Sequence, residues 1–316
     1  MNSMEVKKIT YLSHEDHSMQ PAFVCAATGD EKRPLVVCLH TWSYGLESNY
    51  EHYLSRCKER NWHFIFPLYR GPNWLPEACG SDLVVSDLEC AVEYMQNNYP
   101  VDNDRIYLLG GSGGGHASLL MAGRRPDLFS AISSWCPISD LTAWYEQILT
   151  NPLEEYDEHI ASACGGNPLT DPEAMKQAKH RSPITWLENA KDKVILDIGT
   201  GIHDGHTGSV PVSHAFHAFN AVAASEDRIS EEDIDFMVKN EDIPLHLRFE
   251  GEDPAYGPHK VLLRRTSGKV RLTLFEGGHD LLPGPGFGFL ERQIRGAEPV
   301  WYSGEAFDTD ATRLAK

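Results

Sequence analysis

The stretch between residues 105 and 120 limits the architectures open to this chain more than any other. An apolar run, Ile106-Tyr107-Leu108-Leu109, enters Gly110-Gly111-Ser112-Gly113-Gly114-Gly115, and a mostly apolar segment follows through Leu120. Such a run reads as a strand buried on both faces. A strand that passes into a helix through a glycine turn needs that helix to fold back on the sheet, which is the geometry of a parallel α/β layer structure.

The rest of the sequence keeps this rhythm. Residues 35–40, 63–67, 106–110, 131–135, 194–199 and 270–275 read as buried strands. Between them, 48–60, 82–97, 114–123 and 213–224 have helical spacing. The alternation predicts an α/β fold with a mostly parallel central sheet and helices on both faces, in one domain over residues 1–316. Residues 9–12 and 21–25 are candidate antiparallel edge strands. Residues 137–190 are too long for one crossover helix and are broken by Gly165-Gly166-Asn167-Pro168, so a small helical cap over the strand ends is expected there. A further insertion covers 225–268 and closes on a hairpin, 260–264 with 269–275, joined by Thr266-Ser267-Gly268.

Charge removes several classes of partner. There are 28 basic against 46 acidic residues, a net charge of −18, and no basic run interrupts that field. Nucleic acid and anionic membrane surfaces both need local positive charge, so neither is expected. Seven scattered cysteines, an odd number without a C-x-x-C pair, read as reduced buried thiols. No signal peptide or membrane-length apolar run is visible, which points to the cytoplasm. A homo-oligomer is compatible with the composition.

The glycine turn also suits a chemical task. A serine at a tight strand-to-helix turn has its hydroxyl held proud of the sheet, and Gly110 and Gly114 remove the side chains that would collide there. The helix N-terminus then faces the place where negative charge builds up on a carbonyl under attack. Ser112 is the candidate nucleophile, and the N–H of Gly113 supplies one oxyanion donor. A serine hydroxyl needs an imidazole to take its proton, and an acid to orient that imidazole. The order in such folds is serine, acid, histidine. His279 follows the apolar run 270–275 on a glycine loop and is the candidate base. Asp204, on the exit loop of 194–199, is the candidate acid; Asp197 lies inside the strand and Asp280 adjoins the histidine. The second oxyanion donor is placed at the N–H of Trp42, with Thr41 as its alternative, on the loop after 35–40. His203, His206, His214 and His217 crowd the acid region, but their spacing completes no tetrahedral set, so neither metal nor cofactor is expected.

These residues resemble the hydrolase domain of the prolyl oligopeptidase family and its esterase relatives, within the α/β-hydrolase superfamily. The matching pieces are Tyr69-Arg70-Gly71, Asp104-Arg105-Ile106, the turn at 110–115, Pro137 through Leu141, Gly165-Gly166 with Pro168, Ser182-Pro183, Asp204 followed by Val210-Pro211 and Ser213, and Gly278-His279, in the family's order. The resemblance implies a serine hydrolase with no metal or organic cofactor. Family peptidases carry a β-propeller before this domain; only residues 1–34 precede the first sheet strand here, so the match is to a form without it. The 201–210 loop is longer than the family's usual spacing between acid and valine.

Two substrate readings follow. The first is a carboxylic ester hydrolase, a carbohydrate esterase removing acetyl or feruloyl groups from a sugar or xylan, with Trp42, Tyr69, Trp74, Trp135 and Trp144 as aromatic walls; core packing accounts for any one of them equally well. The alternative is a small aminopeptidase or oligopeptidase, with Glu154, Glu155 or Asp157 as anchor for a peptide amine.

Overall fold

The computed structural model describes residues 4–48, 50–150 and 155–301. Among these, nine strands form one sheet. The chain opens with an antiparallel hairpin, β1 (Val6–Leu12) and β2 (Met19–Cys25), and continues through β3 (Arg33–Cys38), α1 (Glu51–Arg60) and β4 (His63–Pro67). Next come α2 (Asp82–Asn98), β5 (Val101–Gly111), α3 (Gly113–Arg124) and β6 (Ala131–Trp135). The spatial order β4-β3-β5-β6-β7-β9 is parallel throughout, where β7 is Ile195–Gly201 and β9 is Val270–Phe275. β1 and β2 extend one edge antiparallel, and β8 (Val261–Ser267) extends the other.

Side-chain alternation sorts the strands onto two cores. In β3, Leu35 and Val37 join Leu108, Ile132 and Leu196 on the face covered by α2, α3, α7 (Ser213–Val222) and α8 (Glu231–Asn240). Val36 and Cys38 point the other way, with Phe64, Phe66 and Tyr107, under α1 and α9 (Pro283–Leu290). Both faces are buried, which is why these strands read as continuous apolar runs.

Residues 137–190 hold α4 (Leu141–Thr150), α5 (Tyr156–Cys164) and α6 (Pro172–Arg181). Gly165, left-handed at φ 81°, ends α5; Asp171 caps α6 by accepting from the N–H groups of Glu173 and Ala174, with Pro172 at the first turn. Trp144, Tyr156 and Ile160 from these helices pack with Trp42 in a third apolar cluster. Residues 225–268 form α8, several short 3-10 turns and β8, so the predicted hairpin is present, with its first strand running on through Ser267 and the turn at Gly268-Lys269. β1, β5 and β7 likewise extend beyond their expected bounds. Among the described residues no helix is long and apolar enough to cross a membrane.

Candidate active site

β5 delivers Ser112 to the carboxyl edge of the sheet in a backbone conformation that L-residues rarely adopt, φ 57° and ψ −118°. Such a conformation costs about 1–3 kcal/mol and persists because the surroundings hold it. The Ser112 N–H donates to Trp135 O at 2.9 Å, and the Ser112 carbonyl accepts from His116 N at 2.8 Å as α3 begins. Gly113 follows because the loop after β3 lies against it: a Cβ there would stand 2.5 Å from both N and Cα of Trp42. The backbone of Trp42 therefore passes directly against the first residue of α3, next to Ser112.

The Trp42 loop is tied down from below. Asn73 donates to Trp42 O through its backbone N–H (2.9 Å) and through Nδ2 (3.2 Å), while its Oδ1 accepts from Cys79 N. Tyr69 Oη donates to His40 O at 2.6 Å, and the two rings stack 4.0 Å apart. Sequence reasoning missed Asn73; its one cue was proximity to Tyr69-Arg70-Gly71.

The acid and the base meet over the next strands. Asp204, 1% exposed on the loop after β7, accepts from His279 Nδ1 at 2.8 Å through Oδ2 and from Val210 N at 3.2 Å through Oδ1. Thr200 Oγ1 stands 3.5 Å from Oδ2. With Nδ1 donating to a carboxylate, the proton-accepting nitrogen of His279 is Nε2. The segment after β9 folds back across the strand ends toward Ser112. Leu281 Cδ1 lies 2.5 Å from where a Cβ on Gly111 would be, and Cys136 Sγ, one residue beyond the Ser112 hydrogen-bond partner, donates to Asp280 O at 3.2 Å. Cys136 Sγ also lies within 4.8 Å of the Asp204 and His279 ligand atoms. Burial, and then Asp204, hold its thiol well above the usual range, so it is a neutral neighbour rather than a second nucleophile. Gly208 closes the pair from outside: a Cβ there would stand 2.4 Å from Asp204 Oδ1 and 2.6 Å from His279 Cβ.

Other nearby histidines have structural partners. His116 donates Nε2–H to Arg181 O at 2.9 Å, and burial pulls its pKa down to about 4. His214 sits between Ser139 and Gln147, and burial pulls it down to about 3. His217 faces Glu231. Among the described residues, two groups have donor atoms close enough to share a metal ion: Cys136 with Asp204 and His279, and His14 with Cys90 and Glu93 on the far edge.

The aromatic candidates divide. Trp135 is fully buried in the core, its Nε1–H on Ser133 Oγ at 2.8 Å and its ring beside Phe275 and Tyr256, so it lines no site. Tyr69 is equally buried and braces the loop after β3 instead, through His40 O. Trp144 is buried too; its Nε1–H donates to Ser209 O at 2.9 Å, tying α4 to the acid loop, and its ring meets Trp42 edge-on at 4.9 Å. Trp74 alone of the five is only half-buried, with its ring 4.7 Å from that of His159. Of the acidic anchor candidates, Glu154 lies outside the described residues, Glu155 is exposed and Asp157 half-buried at the start of α5.

Residues 81–239 match the sequence profile of the prolyl oligopeptidase family. No curated protein matches the chain. Among solved structures, the acylaminoacyl peptidase of Pyrococcus horikoshii is similar at 17% identity and TM-score 0.55, over 70% of this chain and 35% of that one. An acylaminoacyl peptidase in complex with Z-Gly-Gly-Phe-chloromethyl ketone is similar at 16% identity and TM-score 0.62, over 96% and 44%. Prolyl oligopeptidase B from Galerina marginata gives 17% and 0.56, over 70% and 31%. At these identities the likeness is one of fold, and the chain spans less than half the length of each of these structures.

Proposed function

The chain belongs to the prolyl oligopeptidase family, and on that premise we propose that it is a serine hydrolase that cleaves small carboxylic esters through an acyl-enzyme. The observation that carries this reading is the 2.8 Å bond between Asp204 and His279 Nδ1, on the same sheet edge that presents Ser112 in its strained turn. His279 Nε2 takes the Ser112 proton as Oγ attacks the carbonyl carbon. The tetrahedral oxyanion accepts from the N–H groups of Gly113 and Trp42, each worth about 3 kcal/mol in the transition state. His279 then protonates the leaving alcohol, and water repeats the sequence on the acyl-enzyme. Asp204 keeps the Nδ1–H tautomer and stabilises the imidazolium.

An ester is preferred because an aminopeptidase needs a carboxylate for the substrate amine. Asp157 sits on the first turn of α5, where an acid complements the helix N-terminus, and Glu155 at the N-cap position is exposed and makes no side-chain cap hydrogen bond, so neither is marked as an amine anchor. An acetyl or feruloyl ester of a sugar remains the proposed class, with half-buried Trp74, the neighbour of Asn73, as its candidate aromatic contact. The second reading, a peptidase, is favoured by the peptidases among the structures of similar fold. We expect p-nitrophenyl acetate and acetylated xylan to be hydrolysed faster than aminoacyl-naphthylamides; the reverse ranking would move the assignment to a peptidase.

Gly208 offers an independent check on the acid–base pair. In Gly208→Ala the new methyl must displace Asp204 Oδ1 or His279 Cβ, and a displacement near 1 Å costs on the order of 10²-fold in rate. We expect that loss in kcat together with a destabilisation of about 1–3 kcal/mol that leaves the protein folded at assay temperature. A wild-type kcat would show that the pair is not held where the mechanism needs it.

A further inference from the structure

The loop that carries Asp204 is longer than the family pattern, and its outer side is fastened by histidines. His203 places Nδ1 2.7 Å from Glu241 Oε2 and Nε2 2.7 Å from Glu276 Oε1. Glu241 is the left-handed C-cap of α8, at φ 51°, and Glu276 is the first residue after β9, three before His279. His206 adds a second fastening, with Nδ1 3.6 Å from Glu241 Oε1 and Nε2–H on Val238 O at 2.6 Å. One imidazole thus joins the acid loop, the base loop and α8 of the 225–268 insertion, which the hydrolytic mechanism otherwise leaves without a task.

The protonation state follows from the partners. An ionised carboxylate only accepts, so a ring with a carboxylate oxygen at 2.7 Å from each nitrogen needs a proton on both. We propose that His203, as an imidazolium, is a positioning residue for the catalytic acid: it clamps the Asp204 loop between α8 and the His279 loop in the arrangement that supports catalysis. The proposal rests on Asp204 being the triad acid.

The other charged groups around the clamp do not supply this bridge. His259 Nδ1 reaches the Glu276 carbonyl, the Asp280 carboxylate accepts from Gly278 N, and the Asp242 carboxylate is paired with Arg248. The hydrogen bond that His203 donates to Glu276 raises the His203 pKa above its ordinary value; partial burial opposes this, and Glu241 adds to it. A group with a raised folded-state pKa contributes most below its unfolded value, about 6.5, and that contribution is lost as pH rises through the folded value. The clamp therefore holds while His203 is protonated and its two carboxylates are ionised, and it is lost as pH rises through the raised His203 value.

The test reads the rate at which a fluorophosphonate labels Ser112 across pH, alongside amide hydrogen exchange of residues 201–210. In the wild type, labelling should fall above the His203 pKa while loop exchange rises. Glu241→Gln removes one carboxylate and should move both changes to lower pH. His203→Gln cannot titrate; its labelling should lack the fall with rising pH and run roughly three- to tenfold below the wild-type plateau, the size typical of residues acting through an intervening element. His203→Arg, with a fixed charge, should also lack the fall. A fall with rising pH that all three variants leave in place would overturn the clamp. Loop exchange that follows His203 while Ser112 is unlabelled at every pH would instead overturn the reading of Ser112 and leave the clamp standing.

Discussion

Ser112→Ala should fold and melt like the wild type while kcat falls on the order of 10⁴-fold or more. The stability half of this expectation follows from the turn. Ser112 is 7% exposed, and its φ of 57° strains alanine as much as serine, so the substitution leaves the backbone cost where it was. The N–H to Trp135 O and the carbonyl that starts α3 are main-chain groups that alanine keeps. The kinetic half follows because no acyl-enzyme forms without the hydroxyl. What survives is the stabilisation from the Gly113 and Trp42 N–H groups, which alone leaves on the order of 10³-fold over water. Thermal unfolding measures the first half; intact mass after fluorophosphonate treatment and kcat on p-nitrophenyl acetate measure the second. A variant that keeps more than a small fraction of wild-type turnover, or still takes up the probe at the turn, would remove Ser112 from the mechanism.

The parts of the site that were legible are those whose chemistry is local. Strand, glycine turn and helix are contiguous from 101 to 124, and His279 and Asp204 each stand on a loop straight after an apolar run, so position along the chain located them. The parts that were not legible depend on which strand lies beside which. Every residue of β6 is buried, so no polar alternation shows which face Trp135 takes. That face is set by its register partner Gly199 in β7, whose missing side chain leaves room for the indole; a Cβ there would be 2.8 Å from the ring. Tyr69 was misplaced for the same reason, since its partner His40 is 29 residues away. His203, Glu241 and Glu276 are separated by 38 and 35 positions, and nothing in their flanking residues announces that one ring joins them. The fold class needed periodicity alone, whereas the fastening of the acid loop needed the fold.

Arg271→Met should destabilise the protein by about 3–5 kcal/mol, the usual result of leaving one half of a buried ion pair. Asp197 and Arg271 are register partners on the parallel neighbours β7 and β9, 1% exposed each, with Arg271 Nε 2.7 Å from Asp197 Oδ1. Among the described residues Asp197 Oδ2 is buried without a hydrogen-bond partner, so the guanidinium is what compensates this carboxylate. Arg271 also lies over the rings of Phe289 and Trp301, and a methionine stem keeps some of that apolar contact. In Asp197→Leu/Arg271→Met no charge is left uncompensated, and most of the lost stability should return in urea unfolding. The two variants separate the cost of a stranded charge from the worth of the pair. They also address why a charged pair stands here: these two strands deliver Asp204 and His279, and a slip of one residue would reverse the faces of either strand and separate the acid from the base. If the pair holds register, the double variant should regain stability yet keep a lowered kcat. Recovery of both would show that apolar packing alone aligns β7 with β9.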